Sequence, residues 1–241
     1  MCAHILLSSS TSASGPTPKQ VVWHSKGDYF ATVSPESGSS ASVLVHQLSK
    51  HRSQAPFRRA AAKGASVQRV AFHPLKPHLF VATQRHVRLY DLGAQALLKT
   101  LQPGLRWLSD LSVHPSGSHL LVSSYDRKVA WFDLELSAQP YKVLRYHARA
   151  VRAVAFHPRA ARSFPLFASV GDDGQAQVFH ASVPAGADEF APGAAPLIVP
   201  LKVLRGHEVV NGLGVLDAKW HPNQPWLFTA GADGTARLWT T

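Results

Sequence analysis

Cysteine is all but missing: Cys2 is the only one in 241 residues. One thiol cannot build an internal disulfide framework or a cysteine-rich zinc site, and it points to a reducing compartment, cytosol or nucleus. Long apolar runs are missing too. Nothing approaches the roughly 18–20 residues that cross a bilayer, and MCAHILLSSS carries no positive charge ahead of its short apolar core, so neither a membrane span nor a signal peptide is predicted. Acidic residues are scarce, 14 Asp and Glu against 25 Lys and Arg, a formal charge of +11. Those acids are mostly single residues in turns, which disfavours an enzyme built on convergent carboxylates or a metal cluster. At 45% hydrophobic and 16% charged, the composition excludes a disordered chain and supplies a sizeable core.

What the chain does have is clustered positive charge. Ser37 to Tyr90 holds nine Lys or Arg and no acid, and Leu136 to Gly171 holds six and no acid. A polyanionic partner is the reading that follows.

It also has a repeat. VAFHP ends at Pro74, LSVHP at Pro115, VAFHP at Pro158 and AKWHP at Pro222, with a divergent first copy in VVWHS. The marking histidines are His24, His73, His114, His157 and His221, at steps of 49, 41, 43 and 64 residues. Three steps fit the roughly 40–50 residues of a propeller blade. The long one contains VPAGADEFAPGAAP, read as a loop insertion at about 182–200. After each motif come a short apolar run (HLFVAT, HLLVSS, PLFASV, PWLFTA), a turn, and an alternating run ending near an aromatic (VRLYDL, VAWFDL, AQVFHA, ARLWTT). Period-two Val, Leu, Phe and Tyr punctuated by Pro and Gly predict strands, and small antiparallel sheets at this spacing predict an all-β propeller. Within it, His-Pro reads as punctuation: the apolar residues finish an inner strand, and Pro, lacking an N–H, ends its ladder. Metal binding by the five histidines is disfavoured, since equivalent blade ends lie far apart.

In the last unit Gly206 and His207 precede AGADGTARLW. These residues resemble the WD-repeat signature, and the resemblance implies a hydrogen-bonded tetrad of His207, Thr229, Asp233 and Trp239. His147, Ser169, Asp173 and Phe179 repeat the spacing with Phe for Trp, while Asp126 and Phe132 keep only the turn and aromatic positions. The same residue types serve a catalytic triad, but a hydroxyl inside a strand, without a nucleophile turn or oxyanion donors, argues for structure.

Longer phrases, among them QVVWHSKGDYFATV, VQRVAFHPLKPHLFVATQRHVRLYDL and LGVLDAKWHPNQPWLFTAGADGTARLW, are similar to the carboxyl-terminal propeller of the block-of-proliferation family of eukaryotic ribosome biogenesis factors. The resemblance covers about Lys19 to the end. It implies a seven-bladed WD-repeat propeller, of which five units are recognisable over 19–241, preceded by a divergent segment 1–18. Only AHILLSS in that segment offers a fourth strand for the last unit; without one, two blade faces stay open to association. The resemblance further implies a non-catalytic scaffold of the nucleolus and nucleoplasm, with Pescadillo and a second WD-repeat protein as partners. Its task would be maturation of large-subunit rRNA and assembly of the 60S precursor, with no cofactor, metal or small-molecule substrate. For pre-rRNA contact, which needs reachable cations more than exact geometry, the candidates are Lys50, Arg52, Arg58, Arg59 and Lys63 after VLVHQL, with Arg145, Arg149 and Arg152 around RYHARAVR. A general WD-repeat adaptor for peptide or chromatin partners is the alternative.

Overall fold

Alternating apolar runs separated by Pro and Gly turns form strands, and the strands come in sets. The computed structural model describes residues 18–35, 42–56, 66–181 and 198–240. Its first sheet holds β1 (Gln20–Trp23), β2 (Tyr29–Val33), β3 (Val43–Gln47) and β4 (Arg52–Gln54). The second holds β5 (Arg69–Phe72), β6 (His78–Ala82), β7 (Val87–Asp91) and β8 (Ala96–Leu101), and the third β9 (Leu108–Val113), β10 (His119–Ser124), β11 (Val129–Asp133) and β12 (Lys142–Leu144). The fourth holds β13 (Val151–Phe156), β14 (Leu166–Gly171), β15 (Gln175–His180) and β16 (Pro200–Arg205). The fifth has three strands, β17 (Val215–Trp220), β18 (Leu227–Gly231) and β19 (Ala236–Trp239). Every sheet is an antiparallel meander in chain order, and no helix occurs among the described residues.

The five sheets are the blades of a propeller. Each of four apolar clusters is shared by two successive blades. Ala31, Val33 and Val45 of the first pack with Val70, Leu79 and Tyr90 of the second, and Ala155, Ala168 and Val178 of the fourth with Ala218, Trp220 and Leu227 of the fifth. A second strand is therefore covered on both faces, which is why HLLVSS in β10 is buried from end to end and reads as a continuous apolar run. The first strands of all five blades contribute to one central cavity of about 460 Å³. Side chains satisfy the backbone groups on their free edges. Gln20 accepts from Val70 N–H (2.8 Å) and donates to its carbonyl (3.1 Å), Ser112 accepts from Phe156 N–H (3.0 Å), and Trp220 donates to the Ala155 carbonyl (3.0 Å).

Among the described residues the series leaves a face at each end. Ala168 and Val178 pack on the fifth blade; by strand register their equivalents there are Phe228 and Leu238, 44% and 49% exposed. Trp23 stands where Trp220 stands in the fifth blade, yet is 56% exposed against 8%. The segment AHILLSS, and 182–197 of the expected insertion, lie outside the described residues. The long last step also contains a tight hairpin, Val210 paired with Leu213 across Asn211 (φ 52°) and Gly212 (φ 81°).

The His-Pro motif does more than end a strand. His73 Nδ1 accepts from the N–H groups of Leu75 (3.1 Å) and Lys76 (3.0 Å), and His157 Nδ1 from Arg159 N–H (3.0 Å). With Nδ1 an acceptor, Nε2 carries the proton and reaches the next blade's turn: His73 to the Gly117 carbonyl (3.1 Å), His157 to that of Gln224 (2.9 Å). The histidine thus caps its own turn and ties two blades together, a role the punctuation reading left out because it followed proline alone.

Candidate nucleic-acid interface

Blade turns alternate between two ends of the propeller, and this sorts the candidate cations. Lys50 is exposed on the turn between β3 and β4, and Arg52 at the first position of β4. Beside them Asp28, from the His24 turn, accepts from Ser49 N–H (2.9 Å) and from its hydroxyl (2.9 Å), so they lie at the His-Pro end. Arg145 and Arg149 are exposed on the loop between β12 and β13. There Asp173 of the β14–β15 turn accepts from Ala148 N–H (3.0 Å), which puts them at the opposite end. Arg58, Arg59 and Lys63 lie outside the described residues.

Arg152 is not a free cation. Its Nε lies 2.8 and 2.9 Å from the two oxygens of Asp172 and its terminal nitrogen 2.7 Å from Oδ2, and its guanidinium sits 4.9 Å from the Tyr125 ring centroid. Lys50 and Arg52 therefore stand at the end opposite to Arg145 and Arg149, because successive turns of a meander emerge at alternate ends of a blade.

The second end is held by the tetrads. His207 Nδ1 lies 3.1 Å from Asp233 Oδ2, its Nε2 2.8 Å from the Thr229 hydroxyl, and Trp239 Nε1–H donates to that hydroxyl at 2.8 Å. The carboxylate fixes the proton on Nδ1, so Thr229 donates to Nε2 while accepting from Trp239, and no polar atom is stranded. In the fourth blade His147 reaches Asp173 at 2.9 Å and Ser169 at 2.8 Å, and Phe179 stacks on Phe167 at 4.7 Å instead of donating. Burial raises the pKa of Asp173, but the hydrogen bond and charge of His147 and the N–H groups of Ala148 and Gln175 outweigh it and hold the carboxyl below its usual range. Asp233 is likewise opposed by desolvation and held low by Thr235, Glu208 N–H and His207.

In the third blade Asp126 accepts from Arg106 N–H (2.7 Å), as Asp173 does from Ala148. That equivalence places Leu105 where His147 stands, and register places Val122 where Ser169 stands. Leu105, Val122 and Phe132 share one apolar cluster, so the network is replaced wholesale by packing.

Around these anchors the second end is rich in exposed cations over three blades. Arg85, Arg106, Arg127, Arg145 and Arg149 are exposed. The acids of the same loops are engaged: Asp126 by Arg106 N–H, Asp172 by Arg152, Asp173 by His147. Three exposed aromatics, Trp107, Tyr125 and Tyr146, stand among the cations, the first two joined by the 3.1 Å bond from Tyr125 N–H to the Trp107 carbonyl. Sequence reading missed Arg85, Arg106, Trp107, Tyr125 and Arg127, because three separate loops contribute them. The signal that finds them is the alignment of Asp126 with Asp173, which sets Trp107 opposite Arg149.

The central cavity is of mixed sign, lined by Lys19, Arg69, Asp110, Arg152, Asp217 and Lys219. Burial pushes the Asp110 carboxyl up to about 6 against the pull of Lys219 and Arg69, the latter 3.6 Å away. Among the described residues no group of three or more His, Cys, Asp or Glu is arranged to hold a metal.

A family model described as WD domain, G-beta repeat matches residues 96–133, 138–180 and 198–240, a little over half of the chain. Each unit runs from the outer strand of one blade through the three inner strands of the next. Ribosome biogenesis protein ERB1 of Mycosarcoma maydis is 64% identical over 232 residues, 96% of this chain and 24% of its own length. The proteins of that name in Coprinopsis cinerea and Saccharomyces cerevisiae are each 55% identical, over 97% and 93% of this chain and 29% and 26% of theirs. The chain spans about a quarter of the length of these curated relatives, and they bear out the resemblance to the block-of-proliferation family.

Proposed function

The chain belongs to the WD-domain, G-beta repeat family, and from that premise we propose that it is a non-catalytic scaffold of ribosome biogenesis that binds large-subunit precursor RNA. The observation that carries the reading is the arginine-rich end of blades two to four, where five arginines are exposed and the acids of the same loops, Asp126, Asp172 and Asp173, are each held by a hydrogen bond or an ion pair within the fold. Phosphates need reachable cations, and the release of their counterions drives binding. Relatives at 54–64% identity carry ribosome biogenesis in their names, which supports a role for such a surface in that process. We assign the nucleolus and nucleoplasm as its location, and Pescadillo with a second WD-repeat protein as its partners.

Crosslinking and pull-down of the tagged chain from nucleolar extract test this. Recovery of large-subunit precursor RNA, lost steeply as salt rises, is the expected result; recovery of neither that RNA nor a partner overturns it. The mixed-sign central cavity favours a second reading, an adaptor that captures a peptide there. Its signature is partner binding that survives high salt.

A further inference from the structure

We propose that the loop before β9 and the turn between β10 and β11 form a stacking platform for unpaired RNA bases, with Trp107 and Tyr125 as its rings and Arg85, Arg106 and Arg127 as its phosphate contacts. This rests on the RNA-binding reading and adds the state of the RNA that is bound.

Exposed aromatics scattered singly on a surface need no explanation; Trp107 is not of that kind. It is 56% exposed and, with Arg106, forms a two-residue excursion to the surface between two buried leucines, Leu105 and Leu108. Its φ is +54°, the left-handed region that a bulky residue enters only when its surroundings force it. Hydrogen bonds from two blades do the forcing: Arg106 N–H to Asp126 (2.7 Å), Leu108 N–H to the Gln84 carbonyl (3.0 Å), and Tyr125 N–H to the Trp107 carbonyl (3.1 Å). An outward ring is thus held in place before any ligand arrives, which limits the entropy lost on binding.

A second strained residue stands beside it. The corresponding turns of the fourth and fifth blades read Asp173-Gly174 and Asp233-Gly234, with glycine at φ 74° and 75°. Here the turn reads Asp126-Arg127, and Arg127 occupies the same left-handed position at φ 67°. Two non-glycine residues forced into glycine's territory, one aromatic and one cationic, share a single site. Tyr125 is fixed as well, since the Arg152 guanidinium lies over its ring and Asp172 holds Arg152.

Rigid exposed rings among cations suit single strands. Splayed bases offer a π-face to any aromatic, whereas bases inside an A-form duplex are already stacked. Recognition at this site is therefore selective for unpaired RNA and tolerant of its sequence.

The test measures binding of the full chain to a mixed-sequence RNA of about 12 nucleotides, within the site sizes known for single-strand binders, and to a hairpin of equal charge. The single strand binds more tightly, and Trp107→Ala weakens it roughly five- to one-hundred-fold, leaving the hairpin affinity and the salt slope as they were. Trp107→Phe retains most of the affinity. Trp107→Gly and Arg127→Gly suit the backbone they enter, so both lower RNA affinity without lowering the thermal midpoint, which separates lost contact from lost fold. Single strand and hairpin binding alike, with Trp107→Ala affecting neither, overturns the platform and leaves the RNA reading standing. No binding of either RNA overturns both. Poly-glutamate of equal charge competing as well as the single strand overturns the platform in favour of a site for acidic chains.

Discussion

Asp110 shows how one residue's surroundings set a pH response. It lies on β9 facing the central cavity, accepts from Val154 N–H at 3.2 Å, and has a side chain only 13% exposed. Burial is the largest influence on it, and its pKa rises from an ordinary carboxylate value to about 6. A folded pKa above the unfolded one means that the native state prefers the proton. The stability this contributes is complete below about pH 4 and is lost as pH rises through about 6. Asp110→Asn keeps an acceptor for Val154 and never ionises, so it raises stability by on the order of 1–3 kcal/mol at pH 7.5 and by almost nothing at pH 4. Thermal melts of both proteins at the two pH values check this; an equal shift at both means that the carboxyl does not titrate as described. His114 illustrates the opposite case, an imidazole that burial holds down at about 4. It is neutral at physiological pH, and that leaves its Nδ1 free to accept from Ser116 N–H at 3.2 Å.

Two blades of one propeller solve the same problem with different chemistry. In the fifth, removing the Thr229 hydroxyl leaves both His207 Nε2 and Trp239 Nε1 without a partner. In the fourth, removing the Ser169 hydroxyl strands only His147 Nε2, because Phe179 carries no donor. Thr229→Val therefore costs about 2–4 kcal/mol and Ser169→Ala roughly half as much. Urea titrations that order the two variants the other way would show that the tryptophan bond contributes nothing. Both tetrads were legible in the sequence through the resemblance to the WD-repeat signature, which implies His207, Thr229, Asp233 and Trp239 as a set whose spacing His147, Ser169 and Asp173 repeat. The replacement in the third blade was legible only through Asp126 and Phe132. Leu105 and Val122 look like any core residue until the hydrogen bond from Arg106 N–H to Asp126 marks the equivalence. The cationic end was read worse for a related reason: charge along a chain says how many arginines there are, but the end at which each emerges depends on how many strands lie between them.

Across the molecule, the repeat itself predicts what the two end faces do. Each inner interface joins the face that carries Ala168 and Val178 in one blade to the face that carries Trp220 and Leu227 in the next. The last blade presents the first kind of face, now bearing the larger Phe228 and Leu238, and the first blade presents the second kind, bearing Trp23 and Val21. The two are complementary by construction, since every other pair of their type is already packed in the same chain. When they stay open, the last blade of one copy can take the first blade of another, a head-to-tail contact that propagates rather than closes. Phe228→Lys together with Leu238→Lys places two charges on one of these faces and touches no inner interface. The expected result is a protein that sediments as a monomer over a concentration range in which the parent chain grows, with the thermal midpoint unchanged to within about 0.5 kcal/mol of stability. If parent and variant sediment alike at every concentration, the end faces do not meet in this way, and their exposed apolar side chains are satisfied by contacts within one copy.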